Sequence, residues 1–429
     1  MPGPKRLLLV AAVTGYQVRV FAEAGQRLGL EMVLATDRCH KLDDPWADHA
    51  IPVRFHRPNY SAHLAKLAEV EGGRFDGIVA VGDKPARLAA HIAARLGLPW
   101  NPPAAVEACA DKHLARERFR EAGLPAPHYY RLPLNADPLE AAGAAPYPCV
   151  LKPLGLSGSR GVIRADNPGE FVAAFRRIKA LLGEPEIARL HEEQDRFLQV
   201  ESYIEGREFA LEGIVTGGRL KTLAIFDKPD PLEGPFFEET IYVTPSREAP
   251  EVQDRIRETA QRAVTALGLT RGPVHAEMRV NGRGVWMLEV AARPIGGLCA
   301  KALTFDGGMP LEELILRHAA GEDVSSRQAD GPASGVMMIP IPREGIYQGV
   351  SGVEEAAAVP GVREAIMTAK EGQKLTPLPE GASYLGFLFA RGGDAREVEQ
   401  ALREAHARLR FRIAATLPVF RYILARGGT

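Results

Sequence analysis

Val274 to Gly297 reads VHAEMRVNGRGVWMLEVAARPIGG, and its alternation decides how the central fold is read. In the first half, Val274, Ala276, Met278 and Val280 fall on one face and His275, Glu277 and Arg279 on the other. That is the period-2 pattern of a strand with one polar, water-facing side. The second half, VWMLEVAA, is apolar on both faces, as a covered strand is, yet it carries Glu289. NGRG between the halves is a hairpin signal. A three-residue loop of Gly282, Arg283 and Gly284 sets Asn281 against Val285 and Glu277 opposite Glu289; a two-residue Asn-Gly turn breaks that register. Facing carboxylates about 5 Å apart repel each other. A carboxylate in an apolar strand also needs a cation or donors to stay ionised. Two readings stay open. The glutamates either pair with Arg279 and Arg283 on a solvated hairpin, or they hold a hard divalent ion such as Mg²⁺. Mg²⁺ takes one or two protein carboxylates and completes its coordination with phosphate oxygens and water. Four residues beyond Glu289, Arg293 offers a planar fork suited to a phosphate or carboxylate.

A chain of 429 residues is expected to form about three domains with substantial cores. Its 53 Lys and Arg balance 54 Asp and Glu, which argues against a nucleic-acid footprint or a membrane-binding patch. Cys39, Cys109, Cys149 and Cys299 are scattered without a Cys-x-x-Cys pair, against a disulfide framework or a zinc site and in keeping with a cytoplasmic location. Lys5 and Arg6 before LLLVAAV imitate a short signal peptide, but no small-residue cleavage site follows, and a first buried strand explains the run better. No apolar run approaches the roughly 18 residues of a membrane span.

From the start, RLLLVAAV, EMVLAT and FDGIVAVGD read as strands, with helices in YQVRVFAEAGQRLGL and PARLAAHIAARLGL between and after them. Strands alternating with helices predict a doubly wound parallel sheet over 1–104. No G-x-G-x-x-G follows the first strand, against dinucleotide binding; Gly15 and Asp83 close strands and are read as turn residues at the crevice. Past PWNPP, AVEACADKHLARERFREAGL is predicted as one helix with Lys112 early in it.

YPCVLKPLGLSGSRGVIRA delivers Lys152 from a buried strand into a loop bearing Gly155, Ser157, Gly158, Ser159 and Gly161. Successive amides and hydroxyls make an anion nest, and a lysine entering it suits a polyphosphate. The lysine precedes the glycines and the loop runs into a strand, so this is not a Walker loop. An ordinary flexible hairpin loop is the plain alternative. FLQVESYIEGREFALEGIV then ends an apolar strand at Glu201 and enters the next at Glu208, and DPLEGPFFEE forms a long loop too apolar for a bland linker. From about Gly331, GVMMIPIP, ASYLGFLFARG and the helix DAREVEQALREAHARLR predict a small antiparallel α+β domain without a catalytic constellation, a cap or a homodimerisation element.

In order, ADKHLARERF, VLKPLGLSGSRGV, ESYIEGREF and HAEMRV…WMLEVAARPIGG resemble the ATP-grasp superfamily over roughly residues 1–325. PIP…VPGV…LPEGASYLGFLFARG resembles the C-terminal domain of its L-amino acid ligase branch. The resemblance implies an N-terminal Rossmann-like domain over 1–104 and a central ATP-grasp fold of two α+β subdomains over 105–328. Within the latter, 105–200 would bear the lid and 201–328 the metal site, with a cap domain over 329–429. It implies that Lys112 and Lys152 hold ATP phosphates under the Gly155 to Gly161 loop. Glu201, Tyr203 and Ile204 would line adenine, Glu208 the ribose, and Glu277 and Glu289 would bind Mg²⁺, with Mn²⁺ as the alternative ion. Arg293, with Lys152, would serve catalysis by stabilising the transferring phosphoryl group and the acyl phosphate. Glu239, Tyr242, Arg293, Gly296 and Gly297 would meet the amino-acid substrate, Tyr242 standing where the branch carries a histidine. Ala291 stands where many ATP-grasp enzymes place a metal-binding Asn, a loss the amino acid ligases share.

The implied reaction is ATP-dependent activation of a small-molecule carboxylate as an acyl phosphate, followed by attack of an amine. Catalysis is then mostly positioning and charge neutralisation, under a lid that keeps water from the acyl phosphate. Two other readings compete: a biotin-carboxylase-like or purine-pathway relative activating bicarbonate or formate, and a nucleotide-binding module without chemistry.

Overall fold

The computed structural model describes residues 3–12, 17–37, 50–55, 63–64, 74–188 and 192–415; Gly15 and Cys39 lie outside them. The N-terminal sheet is parallel throughout, in the order Ile51–Pro52, Glu31–Thr36, Arg6–Ala11, Gly77–Val81. Alternate side chains of its strands enter two different cores. Leu8, Val10, Ile78 and Ala80 pack towards the helix Asp83–Leu96, and Leu7, Leu9, Val79 and Val81 towards the helix Gln17–Arg27. Both faces are therefore covered, as a doubly wound sheet requires.

The single helix expected past the proline boundary is two, Pro103–Ala110 and Lys112–Glu121. Asp111 between them is extended, at φ −119°, and its carboxylate accepts from the amides of His113 and Leu114. It is an N-cap, which satisfies orphan donors of the second helix. The break makes Lys112 the first residue of a helix rather than a residue on the flank of one.

Two antiparallel sheets follow. The lid sheet has the order Tyr129–Pro133, Phe197–Ser202, Cys149–Pro153, Ile163–Ala165 and is backed by the helix Pro168–Leu182. That helix starts with Asn167 accepting from the Glu170 amide and Pro168 in the first turn. The large sheet has eight strands: Gly284–Ala291, Arg271–Asn281, Arg207–Thr216, Arg219–Asp227, Ile241–Thr244, Ala333–Ile339, Gly386–Gly392 and Val362–Met367. Its last three strands belong to the stretch read as a separate C-terminal domain. That stretch is antiparallel as expected, but Ala333–Ile339 pairs with Ile241–Thr244, so its strands extend the central sheet. A further three-stranded sheet, Lys374–Leu375, Gly345–Ser351 and Arg410–Ala414, completes this unit. Among the described residues, no helix is long and apolar enough to cross a membrane.

Candidate active site

The hairpin reaches the facing register by an unexpected route. Asn281 pairs with Gly284, so the turn holds two residues, Gly282 and Arg283, instead of three. The Asn281 side chain accepts from the Arg283 amide at 2.9 Å and from the Trp286 indole at 3.1 Å, which stabilises this turn. A β-bulge at Leu288 then shifts the ladder by one residue and sets Glu277 opposite Glu289. Bulges re-aim side chains beside functional sites. The polar face of the strand does not meet bulk water: His275 and Arg279 are buried, because each is matched by a buried carboxylate.

One cavity gathers Lys112, Lys152, Ser157, Gly158, Ser159, Glu201, Tyr203, Ile204, Glu208, Glu239, Glu277, Glu289 and Arg293. It lies between the lid sheet and the large sheet. Its lid side is cationic. Lys152 leaves its strand beside Glu201, with Nζ 2.5 Å from the carboxylate, and Arg116 donates to the same group at 2.7 and 3.2 Å. Burial would push the Glu201 carboxyl up, but Arg116 and Lys152 outweigh it and hold it at about 2. Lys152 has one carboxylate to share, with Arg116 and Lys112 as repelling neighbours; burial brings its ammonium down to about 8. Lys112 donates to the Leu156 carbonyl at 2.6 Å and stands 3.6 Å from Glu289. Gly158 at φ 64° and Ser159 at φ 53° place two successive residues in the left-handed region, which turns the loop over the cavity.

The opposite wall is acidic. Glu208, Glu239 and Glu277 bring carboxylate oxygens within 4.8 Å of one another. Lys228, with a side chain only 3% exposed, lies among them: 2.8 Å from Glu208, in contact with Glu239, and 3.6 Å from Glu277. Burial would lower its ammonium pKa, yet the three carboxylates raise it well above the ordinary lysine value. Glu277 also faces His275 Nε2 at 3.3 Å, whose Nδ1 is 3.1 Å from the fully buried Glu212. Burial opposes the imidazolium, but Glu212 and Glu277 prevail and raise His275 to about 9. Against burial, Lys228 and His275 hold Glu277 far below the usual carboxylate range. Glu239 goes the other way, pushed up by burial and then by the charge of Glu277.

Arg293 does not stand free at the mouth. Its guanidinium pairs with Asp83, the first residue of an N-terminal-domain helix, at 2.8 and 3.4 Å. Asp83 is thus more than the turn residue expected. Together with Gly155, Ser157, Lys112 and Glu289 it lines an adjoining cavity. Sequence reasoning places Asp83 at the crevice, with a turn role preferred over a substrate-facing one, and misses Lys228, His275 and Arg116. Of these three, only His275 carries a legible signal, its place on the polar face of the hairpin strand.

Some expected residues lie elsewhere. Tyr242 is not on the cavity wall; its ring is 2% exposed, tilts against Phe226 at 5.6 Å and lies 5.1 Å from Lys228 Nζ. It belongs to the core beneath the lysine. Gly161 turns inward, where a Cβ would meet Pro153 at 2.8 Å, and a Cβ on Gly297 would meet the Phe387 ring at 3.2 Å. Neither they nor Gly296 line the main cavity.

A nest-forming loop with two lysines, facing paired carboxylates across one cleft, has the chemistry to suit a polyphosphate together with a hard cation. Comparison with known proteins matches two stretches of the chain to family models. Residues 145–302 match the ATP-grasp domain, and residues 337–414 match the L-amino acid ligase C-terminal domain 2. The chain carries both domains in that order. Among curated proteins it is 27% identical over 395 residues to the uncharacterized protein y4rH of Sinorhizobium fredii, covering 90% of this chain and 78% of that one. It is 27% identical over 308 residues to carnosine synthase 1 of Homo sapiens, covering 68% of this chain but 36% of that protein, about a third of its length. The crystal structure of an L-amino acid ligase from Bacillus licheniformis shares the fold, with a TM-score of 0.76 at 24% identity over 96% of this chain and all of that one.

Proposed function

We propose that this protein is an ATP-dependent carboxylate–amine ligase that forms a dipeptide or an amino-acid amide and releases ADP and phosphate. The observation that carries the reading is the convergence of Lys112, Lys152 and the Ser157 to Ser159 loop with Glu277, Glu289 and Arg293 on one cavity. The matched domains and the ligase relatives support the same reaction class.

In this reading Lys112 and Lys152 neutralise phosphate oxygens while the loop amides of Ser157, Gly158 and Ser159 cradle them. Tyr203 and Ile204 flank the adenine and Glu208 takes the ribose. The facing pair Glu277 and Glu289 suits a hard divalent ion, since both are oxygen donors and, among the described residues, Glu289 has only Lys112, 3.6 Å away, as an ion partner. Mg²⁺ bound there, or Mn²⁺ in its place, would supply charge neutralisation at the phosphates. Arg293, oriented by Asp83, holds the anionic end of the acid at the reacting phosphorus. The acid's oxygen attacks that phosphorus and ADP departs; the amine then attacks the acyl carbon and phosphate departs, leaving a proton to be released.

The parts would be an N-terminal unit over 1–104, the nucleotide-binding unit over 105–328 and a cap over 329–429. A cytoplasmic location and a homodimer complete the reading; the buried, unpaired Cys109, Cys149 and Cys299 suit a reducing compartment. A matrix of amino-acid pairs, scored by phosphate release and product mass, tests the function. Turnover should need both an acid and an amine, and hydroxylamine should trap a hydroxamate. AMP as the nucleotide product would refute the acyl-phosphate route, and bicarbonate-dependent turnover would favour the carboxylase reading instead.

A further inference from the structure

The strand Ile163–Ala165 ends the lid sheet, so its outer side presents backbone groups with no strand beyond them. Two segments from outside the lid cover this edge. The Arg164 amide donates to the Pro235 carbonyl at 2.9 Å, and Ile163 bridges Phe236. Just before the strand, the Gly161 amide donates to the Pro379 carbonyl at 2.8 Å, and Arg160 Nε donates to the Glu380 carbonyl at 2.6 Å. The Glu380 carboxylate also grips Arg177 on the lid helix, with one oxygen 2.8 Å from Nη2 and the other on Nε. Arg177 in turn lies over the Phe236 ring, 4.8 Å from its centroid. Pro379 and Glu380 sit between Lys374–Leu375 and Gly386–Gly392, in the C-terminal unit, whose described residues contribute none to the main cavity.

We infer that Pro379 and Glu380 are positioning residues, a clasp by which the C-terminal unit holds the phosphate-binding loop over the cavity. The loop's working residues, Ser157 to Ser159, immediately precede the two residues that the clasp fixes, Arg160 and Gly161. Anchoring both at one end of a loop that carries two left-handed residues limits the shapes it can take. Through this contact a domain without catalytic groups governs how well the cleft closes and excludes water. The part of the inference that concerns water exclusion rests on the ligase reading above; the part that concerns nucleotide affinity does not.

The test uses the full chain with Glu380→Arg, Arg177→Glu and the charge-swapped double variant R177E/E380R. Three quantities are measured: Mg·ADP affinity by calorimetry, protease cleavage within 154–162 with and without ADP, and product formed per ADP for the best acid–amine pair. Each single variant should weaken ADP binding roughly threefold to tenfold, the range of a partly exposed ion pair turned repulsive. Each should also quicken cleavage and lower product per ADP, and the double variant should move all three back towards the wild type. Single variants with wild-type ADP affinity and cleavage overturn the clasp, as does a fall in melting temperature with no change in affinity. A double variant no better than the singles overturns the pairing of Arg177 with Glu380. If no acid–amine pair gives product, the ligase reading fails while affinity and cleavage still decide the clasp. Should a charge reversal not fold, Glu380→Gln carries the same readouts.

Discussion

Two walls of one cavity solve the same electrostatic problem in opposite ways. On the lid side a single carboxylate, Glu201, is shared by Arg116 and Lys152. On the opposite wall a single ammonium, Lys228, is shared by Glu208, Glu239 and Glu277. Buried charges are retained only when paired, yet pairing need not be one to one. The lid side keeps cation to spare for an anion, and the opposite wall keeps carboxylate to spare for a cation. That polarity runs across the cleft in the direction a phosphate chain and an ammonium-bearing substrate would need.

The contrast breaks first at Glu201. Glu201→Gln leaves two buried cations without their counter-charge and should cost about 3–5 kcal/mol of stability, read by chemical denaturation. The same residue gives a pH signature. Its folded pKa of about 2 lies below its unfolded value of 4.5, so its stabilisation is fully present above pH 4.5 and is lost as pH falls towards 2. The acid limb in that window should therefore flatten in the Gln variant. Lys228→Met should cost less, about 1–3 kcal/mol, because Glu239 is already drawn towards its neutral form and can take the proton. A larger loss for Lys228→Met than for Glu201→Gln would show that the two walls do not differ as described.

The next effect falls on activity. Glu289→Gln should lower kcat by roughly 10²–10³, the scale for deleting one preorganised electrostatic partner, in steady-state phosphate release. Stability should hold or rise, since removing one of two facing carboxylates relieves repulsion across the strands. Near-normal turnover would remove Glu289 from the metal role.

How much of this was legible beforehand differs between the walls for a physical reason. Local pattern reveals what one segment does alone: the alternation of the hairpin and the glycines and serines after Lys152 were both readable. The facing of Glu277 and Glu289 was also readable, but not the bulge at Leu288 that produces it, because a two-residue turn and a compensating bulge give the same pairing as a longer loop. Asp111 passed as a helix residue because nothing local distinguishes an N-cap from a mid-helix aspartate. Pairings between distant segments were invisible. Asp83 meets Arg293 over 210 positions and Arg116 meets Glu201 over 85, and no periodicity reports such distances. Likewise, the C-terminal unit read as a separate cap because sequence carries no trace of its strand pairing with Ile241–Thr244.

The smallest effect concerns Glu239, on the acidic wall. It follows the long loop, touches Lys228 and lines the main cavity, while Tyr242, three residues on, is turned into the core. Of the three acids around Lys228, Glu208 is also held by Arg279 and Glu277 also by His275; among the described residues, Glu239 has only the lysine as an ion partner. It is therefore the acid with most to gain from an incoming ammonium, and burial beside Glu277 makes an added positive charge welcome. Glu239→Ala should raise the KM for the amino-acid substrate about tenfold, worth roughly 1.4 kcal/mol, with little change in the KM for ATP. Because the variant frees Lys228 to pair more fully with Glu208 and Glu277, the fold should keep its melting temperature within a few degrees. Equal rises in both constants would mean that the acidic wall acts as one electrostatic unit. Unchanged constants would mean that Glu239 serves Lys228 alone, and the substrate's ammonium would then have to be sought at another acid, with Asp83 on the adjoining cavity as one choice.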